Sequence, residues 1–291
     1  MKTTKNFYEK LYQNKVCFYC GLFIILISLC ALLAPLISPY SFDQQFPSKA
    51  LEGSSLKHWL GTDHLGRDLL SRMIYGSRMS MAVGIFTALI STFLGVLYGL
   101  VSGWLGGFTD RILMRFIDIM FSIPTLVLLI LVKVLFDSFI VIEHPELKAL
   151  AGTLVALSLV SWASLARVVR AQVLQSKEKL FVEASRSLGA SSFRIIFIHI
   201  LPNILSPIII LITFQIPSNI LFESMLSFLG LGLQAPFSSW GVLVDEAWRS
   251  LSTYPRLLLA PGLMLFLTML SFNLFGDGLR DILDPQLKNQ I

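Results

Sequence analysis

His58, Asp63, His64 and Asp68 stand within eleven residues of one another. Imidazoles and carboxylates are the side chains that ligate metals and move protons. Their spacing matches no zinc pattern, such as two His four apart with a Glu between them. The same stretch reads better as a short amphipathic helix: Leu65, Leu69, Met73 and Gly76 fall at helical spacing, and Arg67, Asp68 and Arg72 lie off that stripe. Cys17 and Cys20 form a C-x-x-C in apolar surroundings, with Cys30 nearby and no further ligands beside them. They read as small apolar helix residues, not a redox or metal site. The chain carries no G-x-x-x-x-G-K-[ST], H-E-x-x-H or nucleophile elbow, and so has no ATP site of the phosphate-loop kind.

Three charges lie within or at the ends of apolar runs. Lys133 and Asp137 are four residues apart, on one helical face and able to pair. Charges inside a membrane are candidates for function. Lys133 lies past the midplane of its run, so an outward-snorkelling side chain is expected, with a place on a transport path as the alternative. Glu223 closes another apolar run and is expected at the membrane interface. The remaining polar feature is a whole segment, "VEASRSLGASSFRIIFIHILPN", from Val182 to Asn203.

The surrounding chain has 291 residues, 55% hydrophobic and 14% charged, with a mean hydropathy of +0.73. Soluble domains carry about 25% charged residues. The shortfall and the long apolar runs indicate an all-α integral membrane protein, because helices satisfy their own backbone in hydrocarbon. Six spans are predicted: 17–37, 81–104, 119–140, 150–169, 204–223 and 257–275. Lys2, Lys5, Lys10 and Lys15 precede the first, which reads as a retained span with no cleavage signal. An even number of spans puts both ends on one side. That side carries fourteen Lys and Arg against eight on the other, so the termini are expected in the cytoplasm. The net charge of +5 belongs to this asymmetry, and no nucleic-acid partner is expected. Gly95, Gly99 and Gly103, four apart, should let another helix approach the second span. Pro207 and Pro217 could break the fifth. Trp240 and Trp248 suit an interfacial belt. The organisation expected is 1–80 (tail, first span, external segment) followed by a core at 81–291.

The segment at about 178–203 then falls on the cytoplasmic side. Lys179 to Leu188 reads as a short helix, and Gly189 ends it by accepting the left-handed conformation. Ser191 or Ser192 can cap a second helix carrying Phe193, Ile196, Phe197 and Ile200. Pro202 would allow a change of direction into the fifth span. Two short helices at an angle make a rigid knob suited to a groove on a soluble protein. The alternative is an interfacial linker of two amphipathic helices.

The segment resembles the signature loop of ABC importer permeases, E-A-A-x-x-x-G-x(9)-I-x-L-P. Glu183, Ala184, Gly189, Leu201 and Pro202 fall in register; Ser185 replaces the second Ala and His199 stands at the Ile. "LGTDHLGRDLLSRMIYGSRMS", "GWLGGFTDRILMRFIDIMFSIP", "LSFLGLGLQAPFSSWGVL" and "NLFGDGLRDILDP" resemble the oligopeptide/dipeptide importer family, most closely its second (C-type) permease. This resemblance implies a type I ABC importer permease fold in a bacterial cell membrane. It implies a related second permease, two cytoplasmic ATPases and an extracytoplasmic peptide-binding protein as partners, with peptide as substrate. ATP and Mg would be bound by the ATPases and no cofactor by this chain. Glu183, Ala184, Ser185, Gly189, Leu201 and Pro202 would form the coupling site, with Glu183 an ionic contact. Nickel and glutathione importers share the motifs and remain alternatives. A stand-alone channel or secondary transporter, or a membrane enzyme using the Asp/His-rich segment, are readings from other classes.

Overall fold

The computed structural model describes residues 12–233 and 237–283. Lys2, Lys5, Lys10 and Lys288 of the charge count lie outside them. Among the described residues, five helices are long and apolar enough to cross a membrane, or six if a pair bent at 97° is counted as one span. Helix α1 is Lys15–Leu32, started by Asn14, whose side chain accepts a bond from the Cys17 amide. A single turn, Ala34–Ile37, follows it.

Helix α2 is Leu69–Leu105. Asp68 caps it, accepting from the amide and hydroxyl of Ser71 at 2.8 and 2.7 Å. The short amphipathic helix expected near residues 65–76 is therefore the opening of the helix that continues into the predicted second span. Leu69, Met73 and Gly76 do face inward, as their spacing required, but against protein. Residues 80 and 81 lie inside this helix, about a third of the way along it.

The third span is not one helix. Helix α3, Gly107–Ser122, and helix α4, Thr125–Phe139, meet at 97°. Ile123 and Pro124 are extended at the break, with ψ of 131° and 130°. The cause is local: a residue before proline is pushed out of the helical region. The triplet Ser122-Ile123-Pro124 carried that signal, although apolarity alone suggested an unbroken span.

Helix α5 is Pro145–Lys177 and begins on a proline, whose missing N–H costs nothing there. It lies along α2. A Cβ on Gly95, Gly99 or Gly103 would come within 2.6–2.8 Å of α5, against Leu165, the Ala166 carbonyl oxygen and Val173 respectively. The glycine spacing thus serves close helix packing. Helix α6 is Leu180–Ser187.

Helix α7 runs unbroken over Ser192–Phe228. The expected turn at Pro202 is absent. A π-helical stretch, Ile195–Ile200, widens the coil just ahead of Pro202. This gives its ring room where an α turn would set a carbonyl against it. Pro207 and Pro217 also lie inside this helix without ending it. Helix α8, Trp240–Trp248, is capped by Ser239, and helix α9 is Arg256–Leu283. Helix α9 packs on α1, where the Cys17 thiol reaches the Phe275 carbonyl oxygen at 3.8 Å.

Candidate functional site

The elbow between α5 and α7 is built from one buried anchor and one glycine. Val182 is fully buried, within an apolar cluster that includes Leu100 of α2, Val173 of α5 and Ile200 of α7. This pins α6 by one face. At its end the Gly189 amide bonds the Arg186 carbonyl at 2.9 Å and the Ala190 amide bonds that of Ser185 at 3.0 Å. Those are the two bonds of a Schellman motif. The motif requires a left-handed residue, and Gly189 has φ of 76°. Ser191 then caps α7, its hydroxyl accepting from the Arg194 amide at 3.3 Å.

The other face of the elbow is bare. Leu180 is 82% exposed, Leu188 88% and Phe193 70%. Glu183 and Ala184 are exposed between them. The Phe193 and Phe197 rings lie together, tilted by 37°, at 4.4 Å between centroids. Beside the elbow, Arg186 lies 5.1 Å and Lys177 5.4 Å from the Trp104 ring, and the Lys177 ammonium donates to the Trp104 carbonyl at 2.7 Å. These contacts tie the base of the elbow to the end of α2. Of the residues singled out in sequence, Glu183, Ala184 and Gly189 thus form one exposed surface. Ser185 is turned inward, its hydroxyl on the Phe181 carbonyl oxygen at 2.7 Å. Leu201 packs against the anchoring cluster.

The intramembrane charges lie elsewhere. Lys133 is 2% exposed and reaches along its helix to both Asp137 oxygens, at 2.8 and 2.6 Å. It is accommodated because Gly152 of α5 faces it; a Cβ there would stand 3.0 Å from the ammonium nitrogen. Asp137 neutralises the charge, which removes the reason to reach for water. Glu223 is not interface-exposed. It is fully buried, accepting from the hydroxyls of Ser227 at 2.9 Å, Ser239 at 2.8 Å and Ser80 at 3.5 Å. Ser239, at the start of α8, closes over it. Trp240 follows Ser239 inward, fully buried with its indole N–H on the Met73 carbonyl oxygen, whereas Trp248 is 47% exposed.

The Asp/His-rich segment forms a clamp, and sequence reasoning missed its partner. Asp63 accepts from Arg67 Nε at 2.6 Å and from Arg72 Nη1 at 2.8 Å. Both guanidiniums also bond Glu246 of α8, 2.9 Å from Arg67 and 3.1 Å from Arg72 Nη2. Burial opposes the charge on Asp63, but Arg72 and Arg67 outweigh it and hold its carboxyl below the usual range. His58 bonds Asp68 at 2.9 Å and His64 meets Ser250 at 3.2 Å. The carboxylates are occupied by arginines and a helix cap, and do not converge on a common point.

A family model described as "Binding-protein-dependent transport system inner membrane component" matches residues 95–289, which include the elbow. The chain belongs to this family. It is a multi-pass membrane permease of the ABC importer class. A second model, the N-terminal TM domain of oligopeptide transport permease C, matches residues 3–54. The dipeptide transport system permease protein DppC of Bacillus subtilis is 42% identical over 98% of this chain and 86% of its own length. The oligopeptide transport system permease protein OppC of the same organism is 39% identical over 95% and 87%. The glutathione transport system permease protein GsiD of Pectobacterium atrosepticum is 38% identical over 98% and 92%. Among solved structures, the fold is similar to a chain of the MetNI methionine ABC transporter in inward-facing conformations. That match has a TM-score of 0.59 and 17% identity, covering 74% of this chain and 98% of that one. The similarity extends the type I permease fold to this chain.

Proposed function

We propose that this permease is one of two that together form the path of an ATP-driven peptide importer, and that the elbow at 178–203 is its coupling site. The carrying observation is the exposed apolar face of Leu180, Ala184, Leu188 and Phe193 on a turn held by Val182 and Gly189. Bare leucines on a rigid, polar-flanked projection suit a cleft on another protein. The occupant of that role is a cytoplasmic ATPase, which supplies ATP, Mg and hydrolysis; this chain binds neither and hydrolyses nothing. Glu183, beside Leu180 and Ala184, offers that cleft a charge. The termini are cytoplasmic, on the elbow's side, and a peptide-binding protein delivers cargo to the opposite end. Closure of the ATPase pair would push on the elbow, and α7, continuous from Ser192 to Phe228, would carry that motion across the membrane without a joint. Peptide is favoured as cargo by the dipeptide and oligopeptide permeases among the relatives; glutathione, itself a tripeptide, falls in the same class.

The test is cross-linking. With Leu188→Cys in the assembled transporter, a bifunctional thiol reagent should join this chain to an ATPase subunit, more strongly with ATP present. Labelling of position 188 only from the outer face of the membrane, or no ATPase adduct at any of 180, 188 and 193, would end this reading.

A further inference from the structure

Between the bent third span, α5 and α7 lies a groove of about 350 Å³, within the range of small-ligand sites, roughly 300–1,000 Å³. Phe121, Leu128, Phe214 and Phe222 supply apolar wall. Across it runs a rung of neutral polar groups. Gln215 Nε2 donates to the Ser161 carbonyl oxygen at 3.1 Å, the Ser161 hydroxyl donates to Asn219 Oδ1 at 3.0 Å, and Asn219 Nδ2 donates to the Gly84 carbonyl oxygen at 3.4 Å. Ser164 and Ser218 extend the polar lining on the exposed side. Gln215 is eleven residues beyond Ile204, where the fifth span was predicted to begin, about 16 Å along the helix, or half of a hydrocarbon core about 30 Å thick. Carboxamides at that depth are costly against lipid and are expected to face a partner.

A second observation converges on the same place. The break at Ile123–Pro124 opens onto this groove, since Met120, Phe121 and Thr125 all line it. Non-helical backbone at membrane depth is tolerated only where it is buried in protein or lines a cavity. Interrupted helices at mid-depth are also where secondary transporters hold their cargo.

The lining chemistry selects an occupant. Among the described residues no charged side chain lines the groove; a divalent metal would seek carboxylate or imidazole. A carboxamide offers one acceptor and two donors, which match the alternating N–H and C=O of any peptide whatever its side chains. The Gln215 amide oxygen takes no partner among the described residues and is free to accept from such an amide. We propose that this groove is where a translocating peptide touches this chain, the Gln215 amide oxygen meeting its backbone, Ser161 and Asn219 holding that carboxamide in place, and the phenylalanines meeting its side chains. The inference rests on the peptide-import reading and deepens it. It makes the contact tolerant of peptide sequence.

The complete transporter, reconstituted in liposomes with its binding protein, tests this with radiolabelled trialanine as probe. Phe214 replaced by benzoylphenylalanine should capture the label on illumination, and Leu263, on the exposed face of α9, replaced likewise should not. Gln215→Leu should lower uptake roughly fivefold, about what one hydrogen bond of ordinary strength is worth, with ATP hydrolysis retained. Ser218→Ala, exposed and harmless to folding, should lower it less. Capture of the partner permease in place of peptide at 214, or equal capture at 214 and 263, would overturn the proposal. So would Gln215→Leu uptake equal to the wild type. A failure of the import reading itself would show differently, as absent uptake by the wild-type transporter.

Discussion

Gly189 offers the sharpest test of the elbow, because its two possible roles separate cleanly. Its φ is 76°, and a Cβ built there meets nothing within 4 Å. Space is therefore no obstacle, and only the backbone conformation penalises a side chain. For an ordinary L-residue that penalty is about 1–2 kcal/mol. Asn escapes most of it, and a β-branched residue suffers more. The two Schellman bonds at Arg186 and Ser185 contribute about 0.5–1.5 kcal/mol each. The penalty is thus comparable with what holds the turn, and it lowers the ratio of turned to rearranged elbow by about 5- to 30-fold. The series Gly189→Asn, Gly189→Ala, Gly189→Val should accordingly lose transport in that order, Asn least. Membrane abundance should stay level, because Val182 and the spans remain packed. Uptake and ATPase co-purification, measured side by side in proteoliposomes, are the readouts. Loss of both in Gly189→Val with normal insertion is the expected result. Uptake by the Val variant equal to the wild type would refute the turn's role. Equal loss in Asn and Val would show that side-chain volume matters, not φ.

Glu183→Lys reverses a charge in the first turn of α6, costing that helix only about 0.3–1 kcal/mol; transport-coupled ATP hydrolysis should nonetheless drop well beyond that, and unaltered hydrolysis would remove Glu183 from the contact. Gly99→Val would set a Cβ 2.6 Å from the Ala166 carbonyl oxygen, so α2 and α5 must part, at about 1–3 kcal/mol or more. Its melting temperature in detergent should fall clearly below that of Gly262→Val, where a Cβ meets nothing. The clamp gives a pH dependence. Because the folded Asp63 carboxyl ionises more readily than the ordinary value of about 3.9, its stabilisation is full above that value and is lost as pH falls through the lower, folded one. Asp63→Asn should lower the melting temperature at pH 7 and flatten its fall in acid; a melting curve whose acid limb is identical in both proteins would contradict the clamp.

Much of the molecule was legible because its causes are local. Hydrocarbon forbids unpaired backbone, so long apolar runs had to be helices. Four-residue glycine spacing had to make a smooth face, and Gly95, Gly99 and Gly103 do pack on α5. Gly189, followed by a capping Ser191, had to end one helix and begin another. The break at Pro124 was equally local in cause; apolarity masked it. Pro202 misled in the opposite direction, because the π turn ahead of it absorbs its ring.

What stood beyond the sequence was the identity of each polar group's partner. Arg72 and Glu246 are 174 residues apart, and Glu223 meets Ser80 across 143. Lys133 stays buried because Gly152, on another helix, leaves it room. Whether a charge in an apolar run reaches for water or stays inside depends on the free energy of the best partner available. That partner is brought within range only when distant helices pack. Chain-local chemistry therefore determined where this protein turns and where it crosses, and tertiary packing decided which of its charges are clamps and where its groove opens.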